Sequence, residues 1–293
     1  MIKNFLKRNF IIKFICLFFV CLISLVILLN FDFFTEKKYV FPANKEDIEQ
    51  VKSLLKDKYS KKCFRSYCRF YYSRLRDKTP HCFAKFDETE HPEVSIQKGD
   101  VILDIGVSGD TRMTEKMLLL TGRTGKVLGI EANPKLIGVI NNKLKDYNNF
   151  KLYNYAVYSY DGVGVFDLGL EPDDEINFVG RIPDEYSKTK NQIYVNYITL
   201  DTFVKKYNID KLDYIKMDIE AAEIEAMKAS VQTLKKFKPK LAISCHDPGY
   251  VIDMIKFINS LDLGYDFYLA QIEAGSTENL YWRNYIVYAN ARK

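Results

Sequence analysis

The chain has no internal repeat, no low-complexity tract and no strong charge of either sign. The missing repeat argues against solenoids and propellers, which need a fixed period. With 43 basic and 38 acidic residues the net charge is only +5, too small to argue for a nucleic-acid partner. A disordered chain is excluded as well, since 47% of the residues are hydrophobic and 28% charged, the balance of a packed globular protein. At 293 residues there is room for one sizeable domain with additions.

What charge there is lies unevenly. Residues 61–85 carry eight Lys or Arg against the single acid Asp77, and the remainder is close to neutral. Ahead of that stretch, residues 14–31 run for 18 positions without a charge, preceded by Lys3, Lys7, Arg8 and Lys13. Eighteen helical residues span about 27 Å, enough for the hydrocarbon core of a bilayer. A cleaved signal peptide would have a shorter apolar run followed by a small-x-small site, and this run ends instead in Asn30-Phe31-Asp32. The expectation is an uncleaved single-pass N-terminal anchor. Lys37, Lys38 and Lys45 on its far side nearly balance the basic residues before it, so the positive-inside rule favours a cytosolic N-terminus only slightly.

Cysteines offer little. Cys16 and Cys21 fall in the anchor as small apolar residues, and Cys245 falls in an expected strand. Cys63, Cys68 and Cys82 cluster, and with His81 they make four potential zinc ligands. Their spacing is looser than a zinc knuckle and His81-Cys82 is an awkward pair for one ion, so they read as unrelated structural cysteines and no metal is assigned.

Residues 46–58 show helical spacing at Ile48, Val51, Leu54 and Leu55. In 61–85 the basic residues interleave with Phe64, Tyr67, Phe70, Tyr71 and Tyr72, which suits a membrane surface or plain packing on the main domain better than nucleic acid. From residue 98 onward β-rich runs alternate with amphipathic helices. Strands are expected over 101–105, 126–131, 151–157, 212–217, 240–245, 265–269 and 284–288, with helices over 114–121, 135–144, 200–207, 221–235 and 250–260. That alternation predicts a doubly wound, mostly parallel α/β sheet. The stretch 160–196 is irregular and is read as an insertion near the strand ends that shapes a pocket.

The first strand ends in Asp104-Ile105-Gly106 and the second in Glu131, which reads as a nucleotide site at the top of the sheet. A tight turn there lets backbone approach a cofactor, and the acid is placed to accept hydrogen bonds from ribose hydroxyls. The loop continues Val107-Ser108-Gly109-Asp110, without the third glycine of a dinucleotide fingerprint. No clear Tyr/Lys or His/Arg hydride site accompanies it, which disfavours a nicotinamide-dependent oxidoreductase. A third run, Ile215-Lys216-Met217-Asp218-Ile219-Glu220-Ala221-Ala222-Glu223, sets three acids where a strand turns into a helix. Asp218, at the carboxyl end of a central strand, is the preferred site residue, while Glu220 and Glu223 also suit a helix first turn. His246 follows the next strand and is a candidate base or a partner for loop backbone.

Together, Gly99 to Gly106, Ile130 to Pro134, Ala156-Val157, Ile198 to Asp201, Ile215 to Glu223, and Pro239 to Ser244 followed by His246 resemble the successive motifs of FkbM-type methyltransferases. The resemblance implies a Rossmann-like methyltransferase fold with a seven-stranded, mostly parallel sheet and helices on both faces, over residues 94–293. Before it come a basic tail (1–13), the transmembrane anchor (14–31) and a helical basic-aromatic linker (32–93). The resemblance further implies S-adenosyl-L-methionine as cofactor and O-methylation of a hydroxyl on a saccharide, glycolipid or secondary metabolite. Asp104, Gly106, Ser108, Glu131 and Ala156 would bind the cofactor, with Glu131 on the ribose, and Asp218 and His246 would serve the reacting end. Two positions depart from the family pattern. Val107-Ser108 and Asp110 alter the first loop, and Ala222 stands where glycine is usual. A binding or scaffold protein without catalysis is the alternative these departures raise.

Overall fold

A computed structural model describes residues 45–72, 82–83, 87, 89, 91–168, 182, 191–246, 250–277 and 280–292. The expected membrane span at 14–31 lies outside them, as does His81. Among the described residues no helix is long and apolar enough to cross a membrane. Residues 42–293 form one compact unit.

In chain order the elements are α1 (Lys45–Leu54), α2 (Lys58–Tyr72), β1 (Val101–Ile105), α3 (Arg112–Thr121), β2 (Lys126–Glu131), α4 (Pro134–Lys143), β3 (Phe150–Asn154), β4 (Ala156–Val157), β5 (Gly162–Asp167), β6 (Gln192–Ile198), α5 (Leu200–Lys206), β7 (Tyr214–Met217), α6 (Glu223–Lys228), α7 (Val231–Phe237), β8 (Lys240–Cys245), α8 (Tyr250–Ser260), β9 (Tyr265–Thr277) and β10 (Leu280–Ala291). The main sheet has seven strands in the order β3-β2-β1-β7-β8-β10-β9. All its neighbours pair in parallel except β10, which runs antiparallel to both β8 and β9. Every residue of β7 is buried, as is all of β8 after Lys240, so both faces of the sheet are covered there. The core gathers Ile102, Val127, Tyr214 and Ala242 from the strands with Met117 and Ile140 from the helices.

Several expected elements divide. The strand expected over 151–157 breaks at Tyr155, whose N–H bonds the Glu131 carbonyl at 3.2 Å. Its first part stays beside β2, and Ala156-Val157 moves to a second, three-stranded sheet, β4-β6-β5. The expected irregular stretch 160–196 thus contains β5 and the start of β6, a pair joined across a long connection that carries no local hairpin signal. The helix expected over 221–235 stops at Lys228 and restarts at Val231. Ser230 sits at the break and turns its hydroxyl to the Met227 carbonyl at 2.5 Å, the local competition with helix bonds that serine favours.

The described start of the basic-aromatic stretch, up to Tyr72, is a helix with one buried stripe. Ser60, Cys63, Phe64, Tyr67 and Phe70 are buried at helical spacing, while Lys62, Arg65 and Arg69 face solvent. This segment does for the sheet what an edge strand otherwise leaves undone. Lys56 N–H donates to the Phe267 carbonyl at 3.1 Å, and Ser60 Oγ accepts from Leu269 N–H at 2.9 Å. Gln271 Oε1 accepts the N–H of Cys82 at 2.9 Å. The outer edge of β9 is therefore capped and withheld from other strands. Among the described residues Cys63, Cys68 and Cys82 form no disulfide.

If this packing is structural, Tyr67→Ala should be costly. Its ring is fully buried and meets Tyr285 edge-on at 5.1 Å. Urea unfolding should show a loss of about 3–5 kcal/mol, against no more than about 0.5 kcal/mol for the exposed Arg65→Ala.

Candidate functional site

The sheet reverses its winding between β1 and β7, and a crevice opens outside the carboxyl ends of those strands, where ligands bind in open α/β sheets. A cleft of about 460 Å³ lies there. It brings together all of the expected site residues except the buried Asp104: Gly106, Ser108, Glu131, Ala156, Asp218 and His246 line it. Asp104 sits one layer down, beneath the loop, with 1% exposure.

Gly106 makes the turn at φ +87°, a conformation that side chains resist. Just past the end of β1, it also lies against the backbone that follows β7. A Cβ there would stand 1.9 Å from the Asp218 carbonyl oxygen, so only glycine fits. Backbone bonds hold the turn on both sides, from Gly106 N–H to the Ile130 carbonyl at 2.9 Å and from Asp218 N–H to the Ile105 carbonyl at 2.9 Å. The altered first loop fits around it without closing the cleft. Val107 packs into the core, and Asp110, in place of the usual glycine, turns its carboxylate to Arg112. Lys143 ties the Gly109 carbonyl down at 2.7 Å. At the second departure Ala222 has φ −92°, so no glycine is required; the left-handed residues are its neighbours Glu220 (φ +54°) and Ala221 (φ +75°). Two non-glycine residues held there mark stored backbone strain at the mouth of the cleft.

Lys216 was not singled out from the sequence. It is 5% exposed, lines the cleft, donates to the Gly106 carbonyl at 3.1 Å and stands 3.5 Å from Asp104 Oδ1. The opposite oxygen of Asp104 accepts the Thr114 hydroxyl at 2.6 Å. A lysine inside a wholly buried strand was the signal available: such a charge is retained only with partners.

Glu131 ends β2 with 8% exposure, its Oε1 accepting Asn133 N–H at 2.7 Å. Asn133 caps α4, and the Asn154 side chain secures the Glu131 carbonyl at 2.8 Å. Burial is the main influence on the carboxyl and carries its pKa up to about 7, against the Asn133 N–H and the Lys216 charge, which favour ionisation.

His246 is held on both nitrogens. Nε2 lies 3.1 Å from Asp218 Oδ1 and 3.8 Å from Glu220 Oε1, and Nδ1 lies 3.0 Å from Glu223 Oε1. Burial disfavours its cation, but Asp218 and Glu223 outweigh burial and push the pKa up to about 12. Burial would raise Asp218 as well, yet His246 and Lys216 hold it down to about 2. In this arrangement the histidine is an imidazolium clamped between carboxylates, with no lone pair to act as a base. Glu223 is wholly buried, and its Oε1 also accepts Ile219 N–H at 2.9 Å, closing the strained turn.

The raised Glu131 pKa fixes the sign of a stability prediction. The folded state holds this proton more tightly than the unfolded chain, so the group costs stability as pH rises from its ordinary 4.5 through about 7. Urea unfolding of Glu131→Gln and wild type at pH 5 and pH 8 should show the variant gaining on wild type at the higher pH, by on the order of 2 kcal/mol.

Residues 98–267 match the methyltransferase FkbM domain. Among solved structures the chain is similar to the methyltransferase FkbM from Methylobacillus flagellatus KT, with 18% identity and a TM-score of 0.52 over 82% of this chain and 58% of that one. It therefore spans less than two thirds of that protein's length. It is also similar to Aeropyrum pernix fibrillarin in complex with natively bound S-adenosyl-L-methionine (14% identity, TM-score 0.39, covering 66% of this chain and 67% of that one). A third similar structure is precorrin-6y C5,15-methyltransferase from Geobacter metallireducens GS-15 (13%, 0.41, 68% and 84%). No curated protein matches the chain. The domain match covers more than half of the sequence, and the seven-stranded sheet with its single antiparallel strand is of the Rossmann-like methyltransferase kind. The chain belongs to the FkbM methyltransferase family.

Proposed function

We propose that the chain is a membrane-anchored S-adenosyl-L-methionine-dependent O-methyltransferase acting on a hydroxyl of a saccharide, glycolipid or related metabolite. The observation that carries the reading is the cleft itself: Gly106, Glu131 and Ala156 at one end and Asp218 at the other, in a family of methyltransferases. Glu131 would take the ribose hydroxyls, Gly106 would let backbone approach the methionine part, and Ser108 and Ala156 would line the pocket beside it. Acids predominate in the cleft, which suits a cofactor whose reacting sulfur is positively charged. The bound cofactor would supply an electrophilic methyl group.

Methyl transfer would be an in-line displacement, in which the acceptor oxygen would bond the methyl carbon as the carbon–sulfur bond breaks and the hydroxyl proton would pass to solvent water in the open cleft. Its main demand is alignment. Asp218 accepts the hydroxyl's hydrogen bond and orients its lone pair, and His246, fixed by Glu223, orients Asp218. Asp218 held to about 2 is a weak base, so its contribution is positioning more than proton abstraction. The open cleft behind the altered loop favours this reading over a scaffold without catalysis. A nicotinamide-dependent oxidoreductase finds no support in the family.

The anchor belongs to the proposal through the uncharged run 14–31, and the glycan or lipid-linked acceptor through that anchor and the family. Incubation of the full-length chain with methyl-labelled cofactor and extracts of neutral glycolipid or oligosaccharide should label an acceptor. Asp218→Asn should lower kcat by about 10²-fold, the scale of a lost alignment, with cofactor affinity changed less than threefold. Full turnover in that variant would overturn the assignment.

A further inference from the structure

The sequence reads Cys63, Cys68 and Cys82 as unrelated, but the fold brings two of them together. Cys63 lies on the buried stripe of α2, and Cys82 lies beside it at the cap of β9. Cys63 Sγ is 3.9 Å from the Cys82 carbonyl oxygen and within hydrogen-bond reach of the Cys82 sulfur. Cys68, further along α2, turns instead toward Glu49 and Lys52 of α1. Cys245 is buried beside Glu223. Neither Cys63 nor Cys82 lines the cleft.

Contacts on both sides hold the Cys82 backbone in place. Tyr59 of α2 donates its hydroxyl to the Cys82 carbonyl at 2.6 Å, and the Cys82 N–H reaches Gln271 Oε1 at 2.9 Å. Phe83, 51% exposed, then bridges to Gln271 in parallel. A disulfide needs two side chains that reach each other without backbone movement, and thiols already in hydrogen-bond contact satisfy that. The chemistry is matched to the geometry. The Cys63 hydrogen bond is the largest influence on the Cys82 thiol, and with Tyr59 and Lys62 it carries the pKa down to about 6 against burial. A thiol so placed is largely thiolate at neutral pH, the form that attacks disulfides.

We propose that Cys63 and Cys82 form a dithiol–disulfide pair whose oxidation ties the cap of β9 to α2. The oxidant is a low-molecular-weight disulfide of the glutathione class. Cys82, 5% exposed against 0% for Cys63, is the entry sulfur, reached as residues 82–83 lift from Gln271. Its thiolate attacks one sulfur of the oxidant, forming a mixed disulfide and releasing one small thiolate. Cys63 then gives up its proton and attacks the Cys82 sulfur, so the Cys63–Cys82 bond forms and the second small thiolate leaves. The two protein thiols lose two electrons and two protons, and the oxidant ends as two thiols. Ile272, the residue after Gln271, lines the cleft, so the tie secures the strand that leads to the site.

The test equilibrates the full-length chain in glutathione buffers of graded ratio, alkylates it in denaturant and maps its peptides by mass spectrometry. The expected product is a Cys63–Cys82 link that appears in one transition, with Cys68 and Cys245 still alkylated. Cys63→Ser should instead hold glutathione on Cys82, whereas Cys82→Ser should take up none at Cys63. Cys68→Ser should give the same link as wild type. On oxidation of wild type, hydrogen exchange at the Cys82 amide should slow by about tenfold. Alkylation of both Cys63 and Cys82 at every ratio, or a link from either to another cysteine, overturns the pair. Exchange unchanged by oxidation overturns the tie to β9. The wild-type map decides the matter even if a variant fails to fold.

Discussion

The contact on which the site depends is the buried ammonium of Lys216 between the Asp104 carboxylate and the Gly106 carbonyl. It joins the two paired strands where the sheet reverses its winding, β1 and β7, and Lys216 lines the cleft at their carboxyl ends. With His246 it supplies positive charge to a place rich in acids, since the same ammonium bears on Glu131 and on Asp218. A buried pair of this kind is weak evidence of net stabilisation, because desolvation offsets most of the attraction. Its value here is geometric: it fixes a loop carbonyl, a carboxylate and the strand ends in one arrangement. Gly106, with no room for a Cβ against the Asp218 carbonyl, completes that constraint from the other side.

The parts of the fold legible in the sequence are those whose signals are local. Strands β1, β2 and β8 begin and end where their apolar runs do, since burial on both faces demands continuous hydrophobic residues. The acids at strand ends were legible for the same reason, as each interrupts such a run at its carboxyl end. What stayed hidden depends on contacts distant in sequence. Tyr155 gives no sign that the chain leaves the main sheet there, and β5 meets β6 only across a long connection. The break at Ser230 turns on one hydroxyl choosing the Met227 carbonyl. Lys216 was visible as a charge in an apolar run, but its role needs Asp104 and Gly106, more than 100 residues earlier, to be seen beside it.

The basic and aromatic residues after α1 make the same point in reverse. As composition they suggest a surface for membranes or nucleic acid. As a helix they divide into two faces, and the aromatic face packs against the sheet and covers the exposed edge of β9. Tyr67 and Phe64 thereby belong to the core of the unit that carries the sheet, and Lys62, Arg65 and Arg69 form the helix's solvated side. The family's sheet is thus finished at its open edge by residues that precede the matched domain.

Calorimetric titration of S-adenosylhomocysteine into the full-length chain and into Gly106→Ala tests the central claim most directly. Micromolar binding by wild type, lost or weakened at least a hundredfold in a variant that still unfolds cooperatively, is the result predicted by a cofactor seat between β1 and β7. Equal binding by the two proteins, or none by a well-folded wild type, would contradict it.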